Sequence, residues 1–260
     1  MLKNFVAVFV FYLISSSSGS NPQDDEINRI VGGSKVTTPI PYQVSLQFSR
    51  DGRFSHFCGG SIISEEHVLT AAHCLNGQNK DKITVQAGIM NLKEKSGTRH
   101  KVENFVIHTN YEELVRNDIA VMKVSPPFKM DGKSVNSISY KLSEKLGGAQ
   151  PVMLTGWGSI SMSIFGPFPE DLQYIKLQTL TNEECNQRGF NVTETEICAF
   201  KRPLNGACAG DSGGPLVTDD QSTVVGVVSY GTAICGLGYP DVYTRVSVLS
   251  DWIDEQVKSL

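Results

Sequence analysis

From Ile30 onward the chain is a succession of short runs rich in Val, Ile, Thr and aromatic residues, and turn-forming residues close off each one. The runs are Tyr42–Phe48, Val68–Ala71, Ile83–Ala87, Val102–His108, Ile119–Val124, Val152–Thr155, Leu172–Leu180, Leu216–Val217, Val224–Ser229 and Val242–Val246. Between them fall Asp51–Gly52, Asn76–Gly77, Asp131–Gly132 and Gly147–Gly148. β-Branched and aromatic side chains suit a pleated, half-buried surface, and Gly, Asn and Asp supply the turns. Many short strands at regular spacing predict an all-β chain, either sandwich or barrel. One segment differs. Leu249, Trp252, Ile253, Val257 and Leu260 form an apolar stripe of helical period, which predicts a C-terminal helix docked on the β core, with Ser247 or Ser250 as its cap. The polar, turn-rich stretch Pro126 to Ala149 is the natural seam between two halves.

The N-terminal residues have a different character. Lys3 is followed by the apolar run Phe5 to Ile14 and by the small residues Ser15 to Ser20, the pattern of a secretory signal peptide. That run is shorter than the roughly 20 residues needed to span a bilayer, and the polar, acidic segment Asn21 to Asn28 follows it at once. The expected organisation is therefore a signal peptide at 1–20, leading to a secreted, extracellular protein with no membrane partner. Six cysteines fit an oxidising destination: Cys58, Cys74, Cys185, Cys198, Cys208 and Cys235. Zinc is the rival reading, but there is no Cys-x-x-Cys pair and the five histidines do not cluster, so disulfides are expected and metal is not. The net charge of −4 and the lack of any basic cluster argue against a nucleic-acid partner.

Three fragments carry chemistry. A serine hydroxyl needs a base to take its proton, a group to orient that base, and donors for the oxyanion. Ser212 lies in Gly210-Asp211-Ser212-Gly213-Gly214-Pro215, where flanking glycines permit a tight turn that can aim the amides of Gly210 and Ser212 at one point. His73 lies in Thr70-Ala71-Ala72-His73-Cys74, at the end of a strand-like run. Asp118 lies in Asn117-Asp118-Ile119-Ala120-Val121, directly before an apolar strand. Taken singly, these could be a plain turn, a structural histidine and a solvated strand end.

Together, in the order His, Asp, Ser, they resemble the chymotrypsin family of serine proteases. The likeness runs from residue 30 to 260 and includes Arg29/Ile30-Val31-Gly32-Gly33, Cys58-Gly59-Gly60-Ser61, Thr155-Gly156-Trp157-Gly158, Ser229-Tyr230-Gly231 and Pro240-Asp241-Val242-Tyr243. The resemblance implies two six-stranded antiparallel Greek-key barrels with a C-terminal α-helix, in a peptidase domain at 30–260 (barrel one about 30–138, barrel two about 139–260). It implies that Ser212 attacks the scissile carbonyl, that His73 acts as base and then acid, and that Asp118 holds the imidazole. Gly210 and Ser212 form the oxyanion hole. It also implies the pairs Cys58–Cys74, Cys185–Cys198 and Cys208–Cys235.

Further expectations come from the same source. Residues 21–29 resemble an activation propeptide, cut after Arg29 by a trypsin-like protease, whereupon the new amino group of Ile30 would pair with a buried Asp211. The primary pocket maps to Gly206, Ser229, Tyr230, Gly231 and Asp241. Trypsin-like members carry aspartate where this chain has Gly206, so a roomy, mostly apolar slot is expected, favouring Phe, Tyr, Leu or Met at P1. Asp241, where most relatives carry glycine, complicates that picture. The Gly206/Asp241 combination resembles crustacean collagenolytic proteases and some arthropod chymotrypsins, implying broad or collagenolytic specificity with some tolerance of basic residues; trypsin-like specificity through Asp241 is the alternative. Ile89 stands where the family's calcium loop opens with glutamate, so neither a calcium site nor any other cofactor is expected. Met162, Ile164, Phe165 and Phe168 are expected to make a loop folded over its own apolar residues, with a substrate-contacting wall second. Asn191-Val192-Thr193 is a glycosylation sequon. Expected partners are protein or peptide substrates, the activating protease and protein protease inhibitors, with the enzyme itself a monomer. A homologue that has lost catalysis is disfavoured, because all three members of the His–Asp–Ser set are present.

Overall fold

The computed structural model describes residues 30–113, 116–142 and 144–260. The segments read as signal peptide and propeptide, with Arg29, lie outside the described residues. A two-residue strand β1 (Ser34–Lys35) precedes β2 (Gln43–Arg50), β3 (Arg53–Ile62), β4 (His67–Thr70), β5 (Ile83–Ala87), β6 (Thr98–Ile107) and β7 (Ala120–Ser125). Strands β2 to β7 close into a barrel in the order β2-β3-β4-β7-β6-β5, with β5 pairing back onto β2. The second set is β8 (Pro151–Gly156), β9 (Gln173–Leu180), β10 (Glu196–Phe200), β11 (Pro215–Thr218), β12 (Val224–Tyr230) and β13 (Asp241–Arg245). Its order is β9-β10-β13-β12-β11-β8, and β8 pairs with β9 to close it, while β1 adds to the outside of β9. The chain is thus all-β, two closed six-stranded antiparallel barrels.

Each barrel is filled by its own inward-facing side chains. Val44, Leu46, Ile62, Val68, Leu69 and Val85 are buried in the first, and Leu154, Ile175, Ile197, Leu216 and Tyr243 in the second. β9 shows the pattern at its plainest: Gln173, Ile175, Leu177 and Thr179 are buried and the residues between them are not. Of the three disulfides, Cys58–Cys74 joins β3 to the segment after β4, Cys185–Cys198 joins a short helical turn to β10, and Cys208–Cys235 links two loops.

Three strands fall outside the predicted runs, the two-residue β1 among them. β3 contains Gly59 and Gly60, which weaken any strand signal, yet a Cβ at Gly59 would lie 2.9 Å from Gly214 Cα and one at Gly60 2.8 Å from Val68 Cγ1. β10 is simply short. The predicted C-terminal helix is α2 (Ser250–Ser259), following α1 (Asn182–Gln187). Neither Ser247 nor Ser250 caps α2: Leu249 occupies the N-cap without a side-chain bond, and Ser250 Oγ donates instead to the Ser247 carbonyl. α2 packs on the first barrel, where Trp252 meets His108 and Lys123 Nζ donates to the Leu260 carbonyl at 2.7 Å.

Candidate active site

The pairing of β4 with β7 sets Thr70 opposite Ala120. The segments that extend beyond this rung carry His73 and Asp118. Ala71 and Ala72 are fully buried and the Cys58–Cys74 bridge anchors the next residue, so the histidine's backbone is held on both sides. His73 Nδ1 lies 2.7 Å from Asp118 Oδ2, and the His73 backbone N–H donates to Asp118 Oδ1 at 2.9 Å. Ser229 Oγ donates to the same Oδ2 at 2.6 Å, and Thr244 Oγ1 to the Asp118 carbonyl at 2.7 Å. Asp118 is only 1% exposed. Its ionised carboxylate can only accept, so Nδ1 carries the proton and Nε2 keeps the lone pair.

Ser212 comes from the turn before β11 and docks across the barrel interface. The Gly59 N–H donates to the Ser212 carbonyl at 2.8 Å, while Thr70 Oγ1 donates to the Gly59 carbonyl at 2.9 Å. Gly213 adopts φ +74°, and a Cβ there would fall 2.2 Å from Thr70 Oγ1. These contacts seat the serine turn on β3 and β4, beside the His73 segment. Among the described residues Ser212 Oγ makes no hydrogen bond, and His73 Nε2 has Cys74 Sγ at 3.7 Å. Cys58, His73 and Cys74 converge at metal-ligand distances, but the two sulfurs are bonded to each other and offer no thiolate.

Gly210 also has a left-handed φ of +96°. Its carbonyl accepts from His56 Nε2 at 2.9 Å, and His56 Nδ1 in turn accepts from Ser45 Oγ at 2.8 Å. Both bonds suit a neutral imidazole, and burial pushes the His56 pKa down to about 4. Asp211 is completely buried between Gly156 and Gly158, where a Cβ would come within 2.2 Å of its carboxylate. Its oxygens accept from Gly158 N (2.8 Å) and Cys208 N (2.9 Å). No cation lies within ion-pair distance of it among the described residues, and burial raises its pKa to about 7. Ile30 is fully buried, and the adjoining Val31 bridges to Gly206 and packs with Cys208 and Cys235.

Beside Ser212 a cavity of about 150 Å³ is lined by Ala207, Val228, Ser229, Tyr230, Gly231 and Asp241, among others. The expected roomy slot is therefore narrower than Gly206 alone implied. Asp241 reaches back into the space that Gly206 opens: a Cβ at Gly206 would lie 2.5 Å from Asp241 Oδ2, and one at Gly231 2.7 Å from Oδ1. Asp241 is 8% exposed, so it is no solvated turn acid. The loop after Trp157 also departs from expectation. Phe165 is 89% exposed, with Met162, Ile164 and Phe168 partly so; the loop does not cover its own apolar residues, and Ile164 lines the cavity. Asn191 is exposed. Sequence reasoning did not find His56 or Thr244, which belong to no motif, or the bond from Ser229 to Asp118, which its motif does not reveal; only the fold brings them together.

The trypsin family model matches residues 30–253. Chymotrypsin-2 of Vespa crabro is 39% identical over 228 residues, covering 87% of this chain and 99% of that protein. Trypsin of Sarcophaga bullata is 34% identical (98% and 99% covered), and chymotrypsin-C of Bos taurus 32% identical (97% and 98% covered). This chain belongs to the trypsin family of serine proteases. It is a serine endopeptidase whose substrates are proteins or peptides.

Proposed function

We propose that the chain is a secreted, chymotrypsin-like endopeptidase in which Ser212, His73 and Asp118 cleave peptide bonds after large apolar or aromatic residues. The observation that carries the catalytic reading is the set of three donors on Asp118, which leaves the lone pair of His73 on Nε2. Ser212 Oγ bonds to the scissile carbon while Nε2 takes its proton. The oxyanion forms against the amides of Gly210 and Ser212. The C–N bond then breaks as the imidazolium returns the proton to the leaving amine, and water repeats the sequence on the acyl-enzyme. A serine and its base often come within hydrogen-bond reach only when substrate is bound, consistent with an unbonded Oγ in the free chain.

Maturation follows from Asp211. A buried carboxylate without a cation is unfavourable, and removal of residues 1–20 and then 21–29 would give Ile30, already buried nearby, the ammonium group that Asp211 lacks. The exported destination rests on the N-terminal signal pattern, the three disulfides and the family. Use of the exposed Asn191 as a glycosylation site, a monomeric state and capture by protein inhibitors belong to the same reading.

The pocket wall of Ala207, Val228 and Gly231 favours apolar P1 residues. Asp241 supports the second reading, acceptance of Lys or Arg, and the relatives bear both chymotrypsin and trypsin names. A panel of peptides differing only at P1, offered at neutral pH to the chain cut after Arg29, tests the ranking. Phe, Tyr, Leu and Met are expected first; Arg ahead of Phe throughout would overturn it.

A further inference from the structure

We infer that the protonation of Asp241 selects between two substrate classes in one pocket: the neutral acid takes apolar P1 side chains, and the carboxylate takes cationic ones. This rests on the proposed P1 site and adds the group that governs it. Asp241 Oδ2 is fixed by the Ala207 N–H at 2.7 Å, whereas Oδ1 has no hydrogen-bond partner among the described residues. That oxygen sits beside Gly231 in the wall of the cavity that reaches Ser212. One half of the carboxyl is therefore anchored to the scaffold and the other is offered to the occupant. Gly206 and Gly231 are the space the group fills, so neither tolerates a side chain while Asp241 is present.

The surroundings hold no fixed counter-charge. β10 places Ala199 opposite Asp241, β12 brings Tyr230 to the same cavity, β13 adds Tyr243, and the turn before β11 carries Asp211. No Lys or Arg among the described residues pairs with Asp241. Burial first, and Asp211 second, raise the Asp241 pKa to about 7. An Ile30 ammonium on Asp211 would offset the second cause and leave the first. Below that value the pocket floor is uncharged and suits Phe or Leu. Above it, an ionised Oδ1 next to an apolar wall favours a guanidinium or ammonium, whose binding in turn stabilises the ionised form.

The test compares kcat/KM for two peptides, Arg and Phe at P1 and otherwise identical, from pH 5.5 to 8.5, using the chain cut after Arg29. Ionisation of His73 affects both peptides alike and cancels in the ratio. The Arg/Phe ratio is expected to rise by about tenfold or more across the range. In Asp241→Asn, whose side chain can still accept from Ala207, it is expected to stay flat. A flat ratio in the unmodified enzyme, an equal rise in the variant, or no cleavage after Arg at any pH overturns the inference. If Arg leads even at pH 5.5, the apolar P1 reading fails, while the slope still decides the inference. Should the variant not fold, inhibition of the unmodified enzyme by an arylamidinium against a neutral arylamide gives the same readout: only the amidinium should tighten as pH rises, and equal behaviour of the two overturns the proposal.

Discussion

Asp118 receives three hydrogen bonds through its carboxylate and one through its backbone carbonyl, and these come from three different parts of the chain. Replacing it with Asn keeps the shape but supplies an NH₂ where His73 Nδ1–H needs an acceptor, which favours the wrong tautomer. Asp118→Asn should lower kcat by about 10⁴-fold, the size of effect this substitution has in serine proteases of this kind, with little change in folded stability; steady-state kinetics and a melting curve separate the two. His56 makes a different kind of prediction. Its folded pKa of about 4 lies below the ordinary 6.5, so both states are neutral above pH 6.5 and the unfolded chain takes up the proton first as pH falls. The stability it contributes is complete above about 6.5 and is lost progressively down to about 4. The difference in Tm between the unmodified protein and His56→Gln should therefore shrink over that interval, and a constant difference would show that His56 is not buried as a neutral ring.

At the scale of elements, legibility followed how much of each signal was local. β5 was predicted residue for residue, because Ile83–Ala87 is a β-prone run with turns on both sides. β3 was hidden by Gly59 and Gly60, which pack closely against Gly214 from the turn before β11 and Val68 from β4. α1 was missed although its start is written plainly. Thr181 accepts from Glu184 N, and Glu184 Oε2 accepts from Thr181 N at 2.8 Å, a reciprocal capping box. Thr181→Ala should cost about 1 kcal/mol in chemical denaturation without changing kcat, since neither Thr181 nor Glu184 bonds to His73, Asp118 or Ser212. The three candidate site residues could be proposed from sequence because each sits in a recognisable fragment, whereas the groups bonded around them, His56, Ser45 and Thr244, come together only through register.

For the whole molecule, the proposed function makes the two barrels a device for bringing a histidine and an aspartate from one to a serine from the other. The hydrogen bonds that join the halves at the site are few: Gly59 to Ser212, His56 to Gly210, and Ser229 and Thr244 to Asp118. On the proposed maturation, the buried Asp211 beside Gly210, which has no ion-pair partner among the described residues, would gain its counter-charge only when the chain is cut after Arg29. Arg29→Gln should accordingly give an exported but inactive protein, assayed by secretion and peptide hydrolysis before and after trypsin treatment. The most direct check on the catalytic account is reaction of the chain cut after Arg29 with a sulfonyl fluoride, followed by mass analysis of its peptides. One sulfonyl group on the peptide containing Ser212, formed in step with loss of activity and absent from Ser212→Ala, is the predicted result. Inactivation with the label on another residue, or full hydrolytic activity in Ser212→Ala, would contradict it.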